Sequence, residues 1–141
     1  MPVLPRKWIV VWSIVTVAVL VNILGLVWDL YAAIGWFDEV VHAYTTFALI
    51  LPLILWLYGT LLIGAHDHRF RFMLLVVLIG LGVGAAWEIA EWGYDQMRSG
   101  DVILGKFDTM TDLLMDAIGA FCASWLAASM VTEKENVNEI L

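Results

Sequence analysis

Four segments, each as long as a bilayer is thick, leave this chain few ways to fold. They run from Trp8 to Trp28, Asp38 to Ile63, Phe72 to Met97 and Asp108 to Val131. A helix needs about 20 predominantly apolar residues to cross a hydrocarbon core ~30 Å thick. Lipid offers backbone groups no hydrogen bonds, so a spanning segment must be a helix or part of a closed barrel. No segment alternates apolar and polar residues as a barrel strand does. The fold class expected is therefore all-α, a polytopic membrane bundle of about four transmembrane helices, with residues 1–141 forming a single membrane domain. The first run exceeds the about 7–15 residues of a secretory h-region, and no small-residue cleavage pattern follows it. It reads as the first membrane helix.

The connections are short. Residues 29–37 join the first two helices, and Asp38 is placed to cap the second. Pro52 removes one backbone bond inside that helix and predicts a kink. Residues 64–71 form a polar loop with His66, Asp67, His68, Arg69 and Arg71, and residues 98–107 form another with Gly100 and Gly105. Asp108 is placed to cap the fourth helix, and residues 132–141 make a polar tail. His66 and His68 read as solvated loop residues.

Composition matters here for what it excludes. The chain is 62% hydrophobic and 15% charged, against about a quarter charged for a soluble domain. Its formal charge of −7 comes mostly from acids within or beside the apolar segments, so it does not describe a solvated acidic surface. Seven Lys and Arg, scattered singly and in pairs, provide no footprint for nucleic acid. Cys122 is the sole cysteine, which rules out an intramolecular disulfide; its setting reads as a small core position.

With four spans, Arg6, Lys7, Arg69, Arg71 and Lys134 share one side, and Arg98 and Lys106 the other. The positive-inside rule then puts both termini in the cytoplasm. Trp8, Trp12, Trp56 and Trp125 fall toward the inner interface, and Trp28, Trp36 and Trp92 toward the outer. Gly80 and Gly84 in the third helix, and Gly119, Ala123 and Ala127 in the fourth, recur every four residues. Such stripes allow close helix approach where lipid supplies no hydrophobic drive, so these two helices are expected to pack tightly.

The polar residues carry the functional signal. Asp38 and His42 share a helix face, continued by Thr45, Thr46 and Leu49. Glu88, Glu91 and Asp95 follow i, i+3, i+7 on the third helix, and Asp108, Asp112 and Asp116 follow i, i+4, i+8 on the fourth. Counting 1.5 Å per residue, His42 lies roughly 6 Å inside its helix end, Asp112 and Asp116 roughly 6 and 12 Å, and Glu91 and Glu88 roughly 9 and 13 Å. The topology puts these ends on the same, non-cytoplasmic side, so His42, Glu88, Glu91, Asp112 and Asp116 are expected to line one pocket in the outer leaflet. Asp38 and Asp108, nearest the helix ends, double as caps and as secondary site residues; Asp95 reads as solvated. Each carboxylate at membrane depth costs about 2.5–3.5 kcal/mol on insertion scales. Protonation, mutual hydrogen bonding or a bound cation can offset that cost. For a cation, this set of carboxylates with one imidazole suits Mg, Mn, Fe or Zn.

The elements Phe37-Asp38-x-x-x-His42, Glu88-x-x-Glu91-Trp92 and Asp108-Thr109-x-x-Asp112-x-x-x-Asp116-x-x-Gly119 resemble the YjdF-type family of small bacterial inner-membrane proteins and, more loosely, VanZ-like proteins. The resemblance covers roughly residues 30–130. Where the pattern tends to have a basic residue after the first Asp, this chain has Glu39; where it has an aromatic after the His, it has Ala43; where VanZ-like members often have Asn, it has Asp116. The resemblance implies the fold, the site and a bacterial inner-membrane location. It implies no reaction, though the link of VanZ-like members with glycopeptide resistance points to the cell envelope.

The sequence leaves three functions open. One is an accessory or envelope-related protein whose acids bind a divalent cation, a lipid head group or a partner helix, within a larger membrane complex or homo-oligomer. Another is a metal-dependent enzyme acting on a lipid or lipid-linked substrate, although no zincin, Ser-x-x-Lys or Gly-x-Ser-x-Gly motif is present. The third is a proton- or cation-linked carrier, which four helices without an inverted repeat would support only as an oligomer.

Overall fold

The structure, a computed structural model, describes residues 6–60, 69–97 and 105–140. Apolar segments that must bond their own backbones fold as helices: α1 (Arg6–Val27), a single turn α2 (Leu30–Ala33), α3 (Phe37–Thr60), α4 (Arg69–Met97) and α5 (Lys106–Ile140). Four of these, α1, α3, α4 and α5, are long and apolar enough to cross a membrane. Among the described residues there is no strand.

The sequence limits are adjusted in four places. α4 begins at Arg69, so the basic residues assigned to the polar loop open a helix instead. α3 and α5 begin at Phe37 and Lys106, which moves Asp38 and Asp108 from cap positions into the first helical turn. Their carboxylates still sit at the favourable, positive end of the helix dipole. The polar tail through Ile140 continues α5 as helix. His66, Asp67, His68 and the 98–104 stretch lie outside the described residues.

Between α1 and α3 the chain reverses through Asp29, whose φ of 53° is left-handed, a region that Asp tolerates better than most residues. α1 then packs on α3, while α3, α4 and α5 pack on one another. α3 and α5 make the most extensive pairing and form the centre of the bundle. α3 and α5 run in the same direction: Asp38 lies near Asp112 and Ala43 near Gly119. α4 runs the opposite way, with Gly80 against Ala120 and Gly84 against Asp116.

The small-residue stripes set these distances. A side chain at Gly119 would collide with the backbone carbonyl of Ala43, so the α3–α5 contact is backbone to backbone. The expected close approach of α4 and α5 is present, and α5 meets α3 by the same means. Cys122 corrects an expectation. It is exposed, because Ala120, Ala123, Ser124 and Ala127 take the inward face of α5 and turn residue 122 toward the surroundings.

One half of the bundle is apolar. Val11, Ile50, Leu51, Ile54, Phe72 and Val76 interlock there with Ala123, Ala127 and Ala128. The other half, at the starts of α3 and α5, holds the polar residues.

Candidate metal centre

His42 occupies the second turn of α3, where the helix faces both α4 and α5. Its Nε2 lies 3.6 Å from Asp38 Oδ1 and 4.0 Å from Glu88 Oε1. Its Nδ1 lies 3.4 Å from Asp116 Oδ1. One imidazole thus touches carboxylates from its own helix, from α4 and from α5. Two triads share it, Asp38–His42–Asp112 and His42–Glu88–Glu91, and in each the candidate ligand atoms lie within 4.8 Å of one another. Ligands bound at about 2.0–2.2 Å lie about 3.3–3.6 Å apart round a tetrahedral ion. A contraction of up to about 1.5 Å would bring either triad onto one cation.

Burial makes the arrangement unusual. His42, Glu88, Asp112 and Asp116 are 7%, 6%, 2% and 1% exposed. Three of their carboxylate oxygens, Glu88 Oε1, Asp112 Oδ1 and Asp116 Oδ2, are buried without a hydrogen-bond donor. A buried polar atom without a partner costs about 1–3 kcal/mol, and more when it is charged.

Other oxygens of the site are held. Thr46 donates to Asp116 Oδ1 at 2.5 Å, and the carboxylate of Asp116 rests against Gly84, where any side chain would displace it. Trp87 Nε1 donates to Glu91 Oε1 at 2.7 Å. Thr109 reaches Glu88, and Asp108 lies close enough for its charge to act on Asp38, Glu88 and Asp112.

Beside this cluster lies a cavity of about 460 Å³. Asp38, His42, Glu91 and Asp116 line its polar end. Glu88 and Asp112 converge on the same histidine but are buried and do not line the cavity. The five expected residues therefore meet at one imidazole, while only three of them face the open space. The cavity also brings in residues that the sequence did not single out. Tyr31 donates to Asn22 Oδ1 at 3.0 Å, and Asn22 Nδ2 donates to Thr45 Oγ1 at 2.8 Å. The Tyr31 phenol is pushed up to about 12, by burial first and then by the charges of Asp38 and Glu91. Asn22 was visible in principle as an amide deep in an otherwise apolar helix, and Trp87 as an N–H donor four residues before Glu91.

Compared with known protein families, residues 4–133 match the model described as "Predicted membrane protein (DUF2238)". The chain belongs to this family. The YjdF-type resemblance fits DUF2238, while the looser likeness to VanZ-like proteins is not confirmed by it. Neither the curated proteins nor the solved structures contain a match. Membership in DUF2238 thus establishes the kind of protein, and any function has to be argued from the cluster around His42.

Proposed function

We propose that this protein binds a divalent metal ion inside the bacterial inner membrane, in the outer-leaflet half of its bundle, as an accessory protein of the cell envelope. One observation carries the reading: the carboxyl groups of Glu88, Asp112 and Asp116, gathered about a single imidazole, each keep one buried oxygen without a donor. A cation is the simplest partner for such atoms, since it favours ionised carboxylates and neutral imidazole together.

The geometry suggests a division of labour. A metal-bound histidine usually gives its other ring N–H to a carboxylate, which fixes the ring's orientation. Here Nδ1 faces Asp116, itself held by Thr46, and Nε2 faces Asp38 and Glu88. Asp116 would therefore orient His42, and Glu88, Glu91, Asp112 and Asp38 would supply oxygens on the Nε2 side. That oxygen-rich set with one nitrogen suits Mg, Mn, Fe or Zn. Placement in the outer leaflet, with both termini cytoplasmic, is supported by the basic residues at Arg6, Lys7, Arg69, Arg71 and Lys134.

The cavity beside His42 and Glu91 favours a second reading, a metal-dependent enzyme on a lipid or lipid-linked substrate. An ion open on that side can polarise a phosphoryl or carbonyl oxygen or activate water.

Thermal unfolding of the purified protein with and without chelator tests the metal reading. An ion that binds only the folded state adds about 2.7 kcal/mol at 100 times its Kd. Chelation should lower Tm by at least about 5 °C, and Mn²⁺ should restore it. A melting curve indifferent to both would refute it.

A further inference from the structure

We infer that a phosphate-bearing membrane lipid enters sideways between α1 and α4 and lies along α3, its phosphate at the His42 end and a hydrocarbon chain running toward Trp56. This deepens the metal reading and rests on it for the head group, because an acidic cluster attracts phosphate only with a cation in place.

The route is built into the packing. α1 and α4 flank α3 but make next to no contact with each other. The cavity between them is floored by His42, Thr45, Thr46 and Leu49 and walled by Leu26 and Val83. Both flanking helices are long and apolar enough to cross a membrane, and in that setting what reaches the opening from the side is bilayer. At about 460 Å³ the space falls within the ~300–1,000 Å³ of small-molecule pockets.

Leu49 also lines a second groove, of about 360 Å³, which lies between α3 at Pro52, Leu53 and Trp56 and α1 at Trp8 and Trp12. From Asp38 to Trp56 the two together follow α3 for roughly 27 Å, at 1.5 Å per residue. That is close to the ~30 Å hydrocarbon thickness, so a lipid chain could stay in the groove across most of the core. The second groove is almost wholly apolar, whereas the first ends in polar groups.

Those polar groups favour an acceptor-rich head. Thr45 Oγ1 accepts from Asn22, and its own hydroxyl hydrogen is given to no described residue. It lines the cavity next to His42. A hard divalent ion held by carboxylates commonly completes its coordination with phosphate oxygens. A donor and a cation at one end of an apolar slot fit a phosphate on a long chain better than an amine or a bare alcohol.

The experiment uses the full chain in dodecyl maltoside, which contains no phosphorus. Mn²⁺ binding is followed alone by electron paramagnetic resonance. Dioleoyl phosphatidylglycerol is then added, and the bound paramagnetic ion's broadening of the ³¹P signal reports phosphate at the site. Glycerol phosphate tests the head without chains. The expected result is Mn²⁺ binding, strong broadening for the lipid and little for glycerol phosphate. Leu49→Trp, which fills the junction of the two grooves and touches no candidate ligand, should weaken lipid binding at least about tenfold with Mn²⁺ affinity unchanged. Normal Mn²⁺ binding without lipid broadening, or equal broadening in Leu49→Trp, overturns the lipid while leaving the metal reading intact. Absence of Mn²⁺ binding overturns both. A cross-linked dimer whose second copy fills the groove would also overturn the lipid.

Discussion

At one end of the bundle Ile50, Leu51, Ile54 and Phe72 mesh with Val11, Val76 and the alanines of α5. Two turns along α3, the same helices present His42, Thr46, Glu88, Asp112 and Asp116 to one another instead. Lipid tails are as apolar as leucine, so the apolar end gains little from burial as such. It is held by close packing, which small residues on α5 permit. The polar end is packed as closely, with Gly119 against the backbone of Ala43 and Gly84 against the carboxylate of Asp116. Yet it encloses oxygens without donors, at depths where each charge costs about 2.5–3.5 kcal/mol. On the function proposed above, the apolar end carries the stability and the polar end serves a ligand that supplies the partners its oxygens lack.

The largest effect should come from changing a candidate ligand. Asp112→Asn or Glu88→Gln keeps the volume but removes a charge. Metal affinity should fall beyond the about 10–100-fold that losing an outer partner costs, and in chelator the variants should melt at or above the wild type. If the carboxyls instead share protons, the amides should be neutral or stabilising with no metal affinity to lose. Binding isotherms and melting curves on the same samples decide between these.

At the apolar end, Leu51→Ala should cost about 2 kcal/mol, the low end of large-to-small core changes, because lipid removes most of the transfer term. Ion affinity should stay as in wild type. A comparable loss of affinity would mean that the two ends are not separable.

Thr46→Val removes the hydroxyl that holds Asp116 at nearly constant volume. An outer partner of this kind should be worth about 10-fold in ion affinity, with little change in melting in chelator. The smallest effect is expected at the cavity rim. Tyr31→Phe loses one hydrogen bond to Asn22, worth about 1 kcal/mol. The Tyr31 phenol is raised from 10.0 to about 12 in the folded chain, so its preference for the protonated form acts fully below pH 10. It is lost as pH rises through about 12, and Tyr31→Phe should flatten that stretch of the stability curve.

Much of this comparison was legible in the sequence, for physical reasons. Membrane helices announce themselves by length, and side chains four residues apart share a face, so Asp38 with His42 and Asp112 with Asp116 could be placed before any contact was seen. Depth followed from counting residues. Which atoms meet could not be counted. That His42 turns Nδ1 to Asp116 and Nε2 to Glu88, or that Glu88 and Asp112 do not line the cavity, depends on how helices rotate about their axes. The cavity was hidden for a similar reason: it exists because α1 and α4 flank α3 with next to no contact between them, a fact about pairing order. Helix ends shifted by a few residues at Arg69 and Lys106, since charged residues near an interface are compatible with either loop or helix.

An ion that completes the polar end should stay with the chain through purification. Elemental analysis of protein extracted in mild detergent without chelator measures it most directly. The result expected is about one divalent metal per chain in the wild type and in Leu51→Ala, and a small fraction of that in Asp112→Asn. Metal-free wild type that also fails to take up Mn²⁺, Fe²⁺, Zn²⁺ or Mg²⁺ when they are supplied would contradict it.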